Sequence, residues 1–554
     1  MACEEEILSN QYKDFIFETN SLAGETGCVT PAGLDYSFVY KAVSQEEISR
    51  YRYSEIPKLY SLMDNVAVEN AGAARLQNLE YLRLRGNGIL IGIIDNGIDV
   101  THKAFRFTNG NTRVRYLWNQ SDASGNMPEG YYYGREYTQE ELNAELQLDN
   151  SEVIEKIIKG SAHGTHMAGI ASGNIDSEAE FASPAPGAEL VVVKLKQSKR
   201  YLKEYFFVEP GSEVYQENDI INGINYVLSV ATKLKKPVVI PIGLGTNQGA
   251  HSGLSLMGDY LDTYSGRTGV GIVCANGNEG NERHHYLGNT KLENGYESVQ
   301  IHVGKDKYGF SLELWGQSPD IFEVEIISPT GEVIRRIPSS IKGEQIYRLV
   351  FEETSVFIKY ELVERITGQE LILMRFQRPT EGIWTIKVFG VNVVSGLFNM
   401  WLPVSDIPDD DTYFLESNPF TTVTVPADAF VPISVGAYNN ITEGIYIDSG
   451  RGYPTNGTVK PSFVAPGVNL IVPSVRGGYA NSSGTSIATG LTAGVMAQFL
   501  EWGIIKGNQT NMNTTQIKNF LIRGANRKSD IEYPNEEFGY GTLNAYGSID
   551  VLRR

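Results

Sequence analysis

The chain has 554 residues, of which 41% are hydrophobic and 20% are charged, so it is too apolar for an intrinsically disordered protein. At about 150 residues per domain, this length predicts roughly two to four domains. The 47 Lys and Arg against 66 Asp and Glu leave a net charge of −19, which disfavours nucleic acids and anionic membrane surfaces as partners.

The amino-terminal segment, MACEEEILSN, is acidic where a signal peptide needs a basic start and an apolar core. No run approaches the roughly 18 apolar residues of a membrane span. The three cysteines, Cys3, Cys28 and Cys274, are too few for a disulfide framework, and no CxxC spacing indicates zinc. We therefore expect a reduced, soluble, cytoplasmic protein with no membrane anchor.

From residue 86 to 280, short apolar runs alternate with longer helical patterns. Four of these runs are apolar on both faces, which predicts strands of a parallel sheet covered by helices. They span residues 88–94, 190–193, 238–242 and 270–275. Residues 219–234 carry apolar side chains at helical spacing. This alternation predicts an α/β fold.

The pattern changes near residue 296. Residues 296–405 hold seven or more short alternating runs separated by turn residues, which is typical of an antiparallel β-sandwich, here of a jelly-roll-like kind. The α/β character returns after Thr421. The sandwich is therefore predicted to be inserted into an α/β domain whose two parts span residues 76–295 and 406–554. Residues 1–75 form a separate N-terminal segment.

The first motif that carries chemistry is IGIIDNGID, in which Asp95 ends an apolar strand. The carboxyl ends of parallel strands face the crevice where α/β sheets bind ligands. The alternative is that Asp95 only helps to form the turn at Asn96 and Gly97. Asp99, in the following loop, is the weaker candidate because no strand presents it.

The second motif, HGTHMAGIASG, places His163 and His166 on one face of a helix. This spacing would allow a metal pair, but no matching third ligand is evident, and two buried structural histidines are the alternative. Small residues such as Gly164 and Ala168 predict that this helix packs closely against the sheet.

Two further motifs supply a nucleophile and a hydrogen-bond donor. In NSSGTSIATGLTAGVMAQFL, Ser486 opens a helix rich in small residues, where unpaired N–H groups and the positive end of the helix could stabilise an oxyanion. N-capping is the alternative role, and Ala488 excludes the G-x-S-x-G nucleophile elbow. In VCANGNEG, Asn278 follows a strand and could donate its side-chain amide to the same oxyanion hole.

The order Asp95, His163, Asn278 and Ser486, each in its strand or helix context, resembles the subtilisin-like serine proteases, the subtilases. The matching segments are IIDNGID, HGTHMAGIASG, ANGNEG and GTSIATG. Two runs, GLGTNQGAHSG and GNEGNERHHYLG, are similar to the clostridial spore-germination subtilases, the Csp group. The chain end FLIRGANR…YPNEEFGYGTLNAYGS and the inserted sandwich share this similarity.

The resemblance implies a role for each residue. Ser486 would be the nucleophile and His163 the base, with Asp95 orienting His163 and Asn278 donating to the oxyanion. The main chain of two segments would pair with an extended substrate. These segments are Gly243, Leu244 and Gly245, and Ala275, Asn276 and Gly277. Gly490 stands where the family has proline, and Gly243 where it has serine, but neither departure removes a member of the triad.

The function that the resemblance implies is a serine endopeptidase that hydrolyses a protein substrate through an acyl-enzyme. A limited-processing role in spore germination, with packaging in the spore, follows from the Csp group. The alternative is a subtilase-fold scaffold or signalling protein whose access is blocked by residues 1–75, which are either a docking arm or a partial prodomain. No cofactor or metal is expected. Calcium stays open, because acidic loops such as residues 409–411 lack EF-hand spacing.

Overall fold

The computed structural model describes residues 3–22, 28–33, 35–43, 47–62, 71–291, 295–340, 343–405, 407 and 411–551. Their α-helices are α1 (Glu4–Leu8), α2 (Ala73–Asn78), α3 (Gln139–Glu145), α4 (Glu152–Ile158), α5 (Ala162–Ser172), α6 (Arg200–Tyr205), α7 (Glu217–Leu234), α8 (Leu256–Ser265), α9 (Thr485–Leu500), α10 (Thr514–Gly524) and α11 (Ala545–Asp550). Their strands are β1 (Tyr12–Glu18), β2 (Cys28–Ala32), β3 (Tyr36–Ala42), β4 (Leu59–Leu62), β5 (Leu90–Asp95), β6 (Val114–Asn119), β7 (Arg135–Thr138), β8 (Glu189–Lys194), β9 (Tyr215–Gln216), β10 (Val238–Ile242), β11 (Leu244–Gly245), β12 (Val270–Ala275), β13 (His285–Asn289), β14 (Tyr296–Val303), β15 (Gly309–Gly316), β16 (Ile321–Ile327), β17 (Val333–Ile337), β18 (Glu344–Arg348), β19 (Ser355–Glu361), β20 (Glu370–Gln377), β21 (Gly382–Asn392), β22 (Leu397–Trp401), β23 (Thr412–Phe414), β24 (Ile433–Tyr438), β25 (Phe463–Pro466), β26 (Leu470–Pro473) and β27 (Tyr479–Ser482).

The central sheet has the strand order β25-β24-β12-β10-β5-β8-β6-β7. All neighbours are parallel except β7, which pairs antiparallel with β6. Strand β5 is buried over its whole length, as its apolar sequence requires when helices cover both faces. Helices α5 and α9 pack on one face, and α7 and α8 pack on the other. The predicted α/β class is confirmed.

Two antiparallel sheets lie between β12 and β24 in the chain. Their strand orders are β13-β22-β15-β20-β19-β18 and β17-β16-β21-β14-β23. Burial alternates along strands such as β16, because only one face of each sheet turns inward. The shared core contains Leu312, Ile326, Met374 and Trp384. We call these two sheets the sandwich.

The described part of residues 3–62 forms an N-terminal arm, which consists of α1, the antiparallel sheet β1-β3-β2, and β4. Phe38 and Tyr40 of the arm share a core with Ile220 and Ile224 of α7, so the small sheet covers the outer side of that helix. Strand β4 follows the small sheet in the chain but belongs to another sheet. There it lies between β9 and β11, antiparallel to both. The arm is thus packed along the α/β domain rather than projecting from it.

The structure corrects the expectation that all three cysteines are reduced. Cys3 and Cys28 are joined by a disulfide, because the arm brings the start of α1 beside the start of β2, with a Cα–Cα distance of 5.4 Å. Cys274 is a buried, unpaired thiol in β12, and burial raises its pKa to about 12. In the described part of the chain, no helix is long and apolar enough to cross a membrane.

Trp401, the last residue of β22, is stacked between two histidines where the sandwich meets the α/β domain. Its ring centroid lies 4.2 Å from that of His251 and 4.9 Å from that of His285, with interplanar angles of 10° and 17°. All three side chains are buried. Burial lowers the pKa of each histidine to about 4, so both are neutral at pH 7.

We expect these two histidines to make a contribution to the free energy of unfolding that is lost as the pH is lowered from about 6.5 to about 4. The unfolded chain protonates these histidines near pH 6.5, whereas the folded chain protonates them only near pH 4, so the unfolded state binds more protons across this window. The stabilisation is fully present above pH 6.5. The maximal slope is about 1.4 kcal/mol per pH unit for each histidine. Urea unfolding monitored by tryptophan fluorescence at several pH values measures it.

His285→Gln should change the slope of the free energy of unfolding against pH by up to about 1.4 kcal/mol per pH unit, whereas His302→Gln, at a partly exposed position, should keep the wild-type slope. A slope between pH 7 and pH 5 that is the same in His285→Gln and in the wild type contradicts the prediction.

Candidate active site

Asp95 is the last residue of β5, and its carboxylate contacts His163 near the start of α5. Asp95 Oδ2 accepts a hydrogen bond from His163 Nδ1 at 2.7 Å, and Asp95 Oδ1 accepts one from the Asn96 N–H at 2.7 Å. Both partners are almost fully buried. Because a carboxylate can only accept, Nδ1 of His163 carries the proton and Nε2 is the basic nitrogen of the ring.

Gly164 allows α5 to approach the end of β5 this closely. A β-carbon at position 164 would lie 2.0 Å from the Gly97 carbonyl oxygen and 3.0 Å from Asp95 Cβ. The Gly164 N–H also donates to Asn96 Oδ1 at 3.1 Å, which ties the helix to the loop after Asp95. The close packing that the small residues predict is confirmed at this position.

Ser486 is the second residue of α9. Its backbone N–H belongs to the first turn, where N–H groups lack an intrahelical acceptor. Gly484 is the N-cap residue, so N-capping does not account for Ser486. The side chain is fully buried, and its Oγ has no hydrogen-bond partner among the residues that the structure describes. A hydrogen bond from Ser486 to His163 is therefore not formed in this conformation.

Asn278 lies beside the start of α9. Its Oδ1 accepts hydrogen bonds from the backbone N–H and the hydroxyl of Thr485, each at 3.1 Å. The Thr485 hydroxyl oxygen in turn accepts from the Gly277 N–H at 3.1 Å. The carboxamide oxygen of Asn278 is therefore held by Thr485, the residue before Ser486.

The first predicted substrate segment is occupied by the chain itself. Leu244 and Gly245 form β11, and β4 of the arm pairs with them antiparallel, Leu62 opposite Leu244 and Ser61 opposite Gly245. The preceding residue, Gly243, lies against the catalytic histidine candidate, since a β-carbon there would be 3.1 Å from His163 Cε1. The main chain of Leu244 and Gly245 therefore pairs with an extended strand of the chain itself.

The second predicted segment, Ala275, Asn276 and Gly277, does not offer main chain for pairing. The Asn276 N–H donates to the Val435 carbonyl and its carbonyl accepts from the Thr424 N–H, both at 3.0 Å. Gly277 donates to Thr485, and its carbonyl accepts from the Gly450 N–H at 2.8 Å. The expectation that this segment pairs with a substrate is wrong for Asn276 and Gly277, because their backbone N–H and carbonyl groups are already hydrogen-bonded within the protein.

The remaining candidates are structural. Asp99 is buried, and its carboxylate accepts from the Thr101 N–H at 2.9 Å and from the Arg476 N–H at 2.6 Å. His166 Nδ1 lies 3.4 Å from the hydroxyl of Ser482. Within the described ranges, no group of three or more His, Cys, Asp or Glu side chains is arranged to hold a metal ion.

The sequence model of the subtilase family matches residues 86–302 and 410–541, which is more than half of the chain. The chain belongs to the subtilase family. This subtilase is 23% identical to the C5a peptidase of Streptococcus pyogenes over 457 residues, which cover 76% of this chain and 36% of that protein. It therefore spans about a third of the length of this curated relative. Pyrolysin of Pyrococcus furiosus is 31% identical over 124 residues, 21% of this chain and 9% of pyrolysin.

The subtilase is also similar to a solved structure, that of the CspB protease of Clostridium perfringens. The TM-score is 0.76 at 29% sequence identity, and the similarity covers 87% of this chain and 98% of that chain. The resemblance to the Csp group is thereby confirmed. Family membership and this similarity together support a protease.

Lys194 is a residue near the site that the sequence analysis missed. It ends β8 directly opposite Asp95 in the sheet register. Its Nζ donates to the carbonyl oxygens of Asn96 and Ile157, each at 3.0 Å, and to that of Lys159. Burial lowers the pKa of Lys194 to about 8. The side chain thus holds together the loop after Asp95 and the connection from α4 to α5. A single lysine ending the apolar run LVVVK is the signal that could have found it.

Lys194→Met should lower the free energy of unfolding by roughly 2–4 kcal/mol, because it removes the donor to three carbonyl groups, of which those of Asn96 and Ile157 are buried. Urea unfolding measures this. Lys159→Met is the matched control, since the Lys159 side chain is exposed and Lys194 contacts its backbone carbonyl. Its effect should stay within about 0.5 kcal/mol, and equal effects of the two substitutions contradict the assigned contacts.

Proposed function

We propose that this subtilase is a serine endopeptidase with Ser486 as nucleophile. The observation that carries the proposal is the buried 2.7 Å hydrogen bond between Asp95 and His163, because it sets the ring tautomer that a general base needs. The position of Ser486 in the first turn of α9, beside Asn278, supports it further.

In the proposed mechanism, Ser486 Oγ attacks the carbonyl carbon of a peptide bond while His163 Nε2 takes the hydroxyl proton. The negative charge that develops on the carbonyl oxygen is stabilised by the Asn278 amide and the Ser486 backbone N–H. His163 then gives the proton to the leaving amine, and an acyl-enzyme remains on Ser486. Water deacylates it by the same proton transfers in reverse order. No cofactor enters any step.

The substrate in this proposal is an extended segment of a protein. Strand β4 supports it, because its residues Ser61 and Leu62 pair antiparallel with β11 as a substrate strand would. The similarity to the Csp group supports a narrower proposal, a limited-processing protease of spore germination that is stored in the cytoplasm or packaged in the spore.

A fluorophosphonate probe should form one covalent adduct with the full-length chain, on Ser486. Intact-mass spectrometry and peptide mapping measure this. Ser486→Ala and His163→Ala should give no adduct, because the nucleophile or its base is missing. Ser483→Ala, three residues away on the chain, should be labelled like the wild type. Labelling of Ser486→Ala at the wild-type level, or none of the wild type, contradicts the proposal.

A restrained scaffold is the second candidate function, and the docking of the arm favours it. Asp14 of β1 is fully buried and forms an ion pair with Lys199. Its Oδ2 accepts from Gln216 Nε2 at 2.9 Å and from Asn218 Nδ2 at 3.3 Å, and Gln216 belongs to β9, the other neighbour of β4. The arm is therefore anchored by a buried charge, and a partner of that charge lies on β9, next to β4. Strand β4 in turn covers the main chain of β11.

Asp14→Asn should increase the rate of fluorophosphonate labelling of Ser486 at least tenfold if the arm restrains the site. Removing one partner of a buried ion pair costs about 3–5 kcal/mol, which weakens docking of the arm. Glu47→Gln is the control within the arm, because Glu47 pairs with Arg50 at an exposed position. Equal labelling rates of Asp14→Asn and the wild type would show that the arm does not limit access.

A further inference from the structure

Two sequence runs that flank the candidate site meet at one buried carboxylate. They are GLGTNQGAHSG, residues 243–253, and GNEGNERHHYLG, residues 277–288. Glu279, in the second run, directly follows Asn278. Its side chain is only 2% exposed.

Glu279 accepts hydrogen bonds from three separate segments. Oε2 accepts from Asn247 Nδ2 at 2.9 Å and from His284 Nδ1 at 2.7 Å. Oε1 accepts from the backbone N–H of Ser405 at 3.1 Å and from its hydroxyl at 3.3 Å. Burial alone would raise the pKa of Glu279, but its interactions with His284, Ser405 and Asn247 outweigh burial and hold the pKa below its ordinary value. The carboxylate is therefore ionised and acts only as an acceptor.

These partners lie where the sandwich joins the catalytic domain. His284 precedes β13, the first strand of the sandwich, and Ser405 follows β22, which pairs with β13. The Asn247 amide also donates to the Leu402 carbonyl at 3.2 Å. Trp401, between His251 and His285, packs the same junction from the apolar side. The residue before β13 and the segment that follows β22 are thus held at a single carboxylate.

The oxyanion donor candidate lies between this junction and α9. On one side, the Gly277 N–H and the Asn278 carboxamide oxygen are hydrogen-bonded to Thr485. On the other side, the chain is held by Glu279. Since Glu279 is the residue next to Asn278, its four hydrogen bonds restrict how far the backbone of Asn278 can move away from Ser486.

We propose that Glu279 is a positioning residue that fixes Asn278 in the oxyanion hole, and that the sandwich supports the site through it. The proposal rests on the proposed serine-protease function. Glu279 does not touch the substrate; it acts through Asn278. Glu279→Gln should break the arrangement, because an amide group would face one of the two pairs of hydrogen-bond donors.

The test is a double-mutant cycle on the rate constant for fluorophosphonate labelling of Ser486 in the full-length chain. We expect Glu279→Gln to slow labelling tenfold or more, and Asn278→Ala to slow it at least as much. The combined variant should be no more than about twofold slower than Asn278→Ala alone, because Glu279 has nothing further to position once the donor is gone.

Asp320→Asn is the matched control for loss of a buried carboxylate. Asp320 is also buried, lies in the sandwich, and accepts from Val394, Ser395 and Gly396, all within one loop of the sandwich. It should lower the urea midpoint as Glu279→Gln does, while its labelling rate stays within about twofold of the wild type.

Two results overturn the positioning role while the protease function stands. One is that the wild type is labelled and the labelling rate constant of the combined variant is reduced by the product of the two single-variant effects. The other is an equal loss of labelling in Asp320→Asn. A wild type that is not labelled at all overturns the proposed function, and the positioning role with it.

Discussion

The hydrogen bond between Asp95 and His163 requires a helix to lie directly on the end of a strand, and the rest of the site depends on that contact. Gly164 makes the approach sterically possible, and Lys194 holds the flanking loops by their carbonyl groups. Strand β12 ends at the same edge of the parallel sheet and leads into the turn that carries Asn278. A parallel sheet places the carboxyl ends of its strands at one edge, because all its strands run in the same direction.

The arm is part of this folded domain in energetic terms. A buried carboxylate such as Asp14 is tolerated only when it is paired, and its partners Lys199, Gln216 and Asn218 all belong to the catalytic domain. The same docking places β4 on β11. Docking of the arm therefore stabilises the whole chain and at the same time covers β11.

Each of the motifs around Asp95, His163, Asn278 and Ser486 was ambiguous by itself, and the resemblance of the whole set to the subtilases selected these residues as the candidate site. The prediction for Asn276 and Gly277 was wrong because a glycine-rich turn does not reveal whether its main chain is already paired, here with Val435 and Gly450. The Cys3–Cys28 disulfide was missed for a related reason, since pairing depends on how the arm folds back.

Periodicity was enough to predict the α/β class, because it is a property of consecutive residues, and the motifs supplied the candidate triad through their resemblance to the subtilases. The pairing of β4 with β11, the position of Lys194 beside Asp95, and the contacts of Glu279 with Asn247, His284 and Ser405 became visible in the folded chain alone. Apart from the contact between Glu279 and His284, these contacts join residues at least 32 positions apart, and their hydrogen bonds follow no sequence period. Their geometry exists only once the sheet and the sandwich have packed.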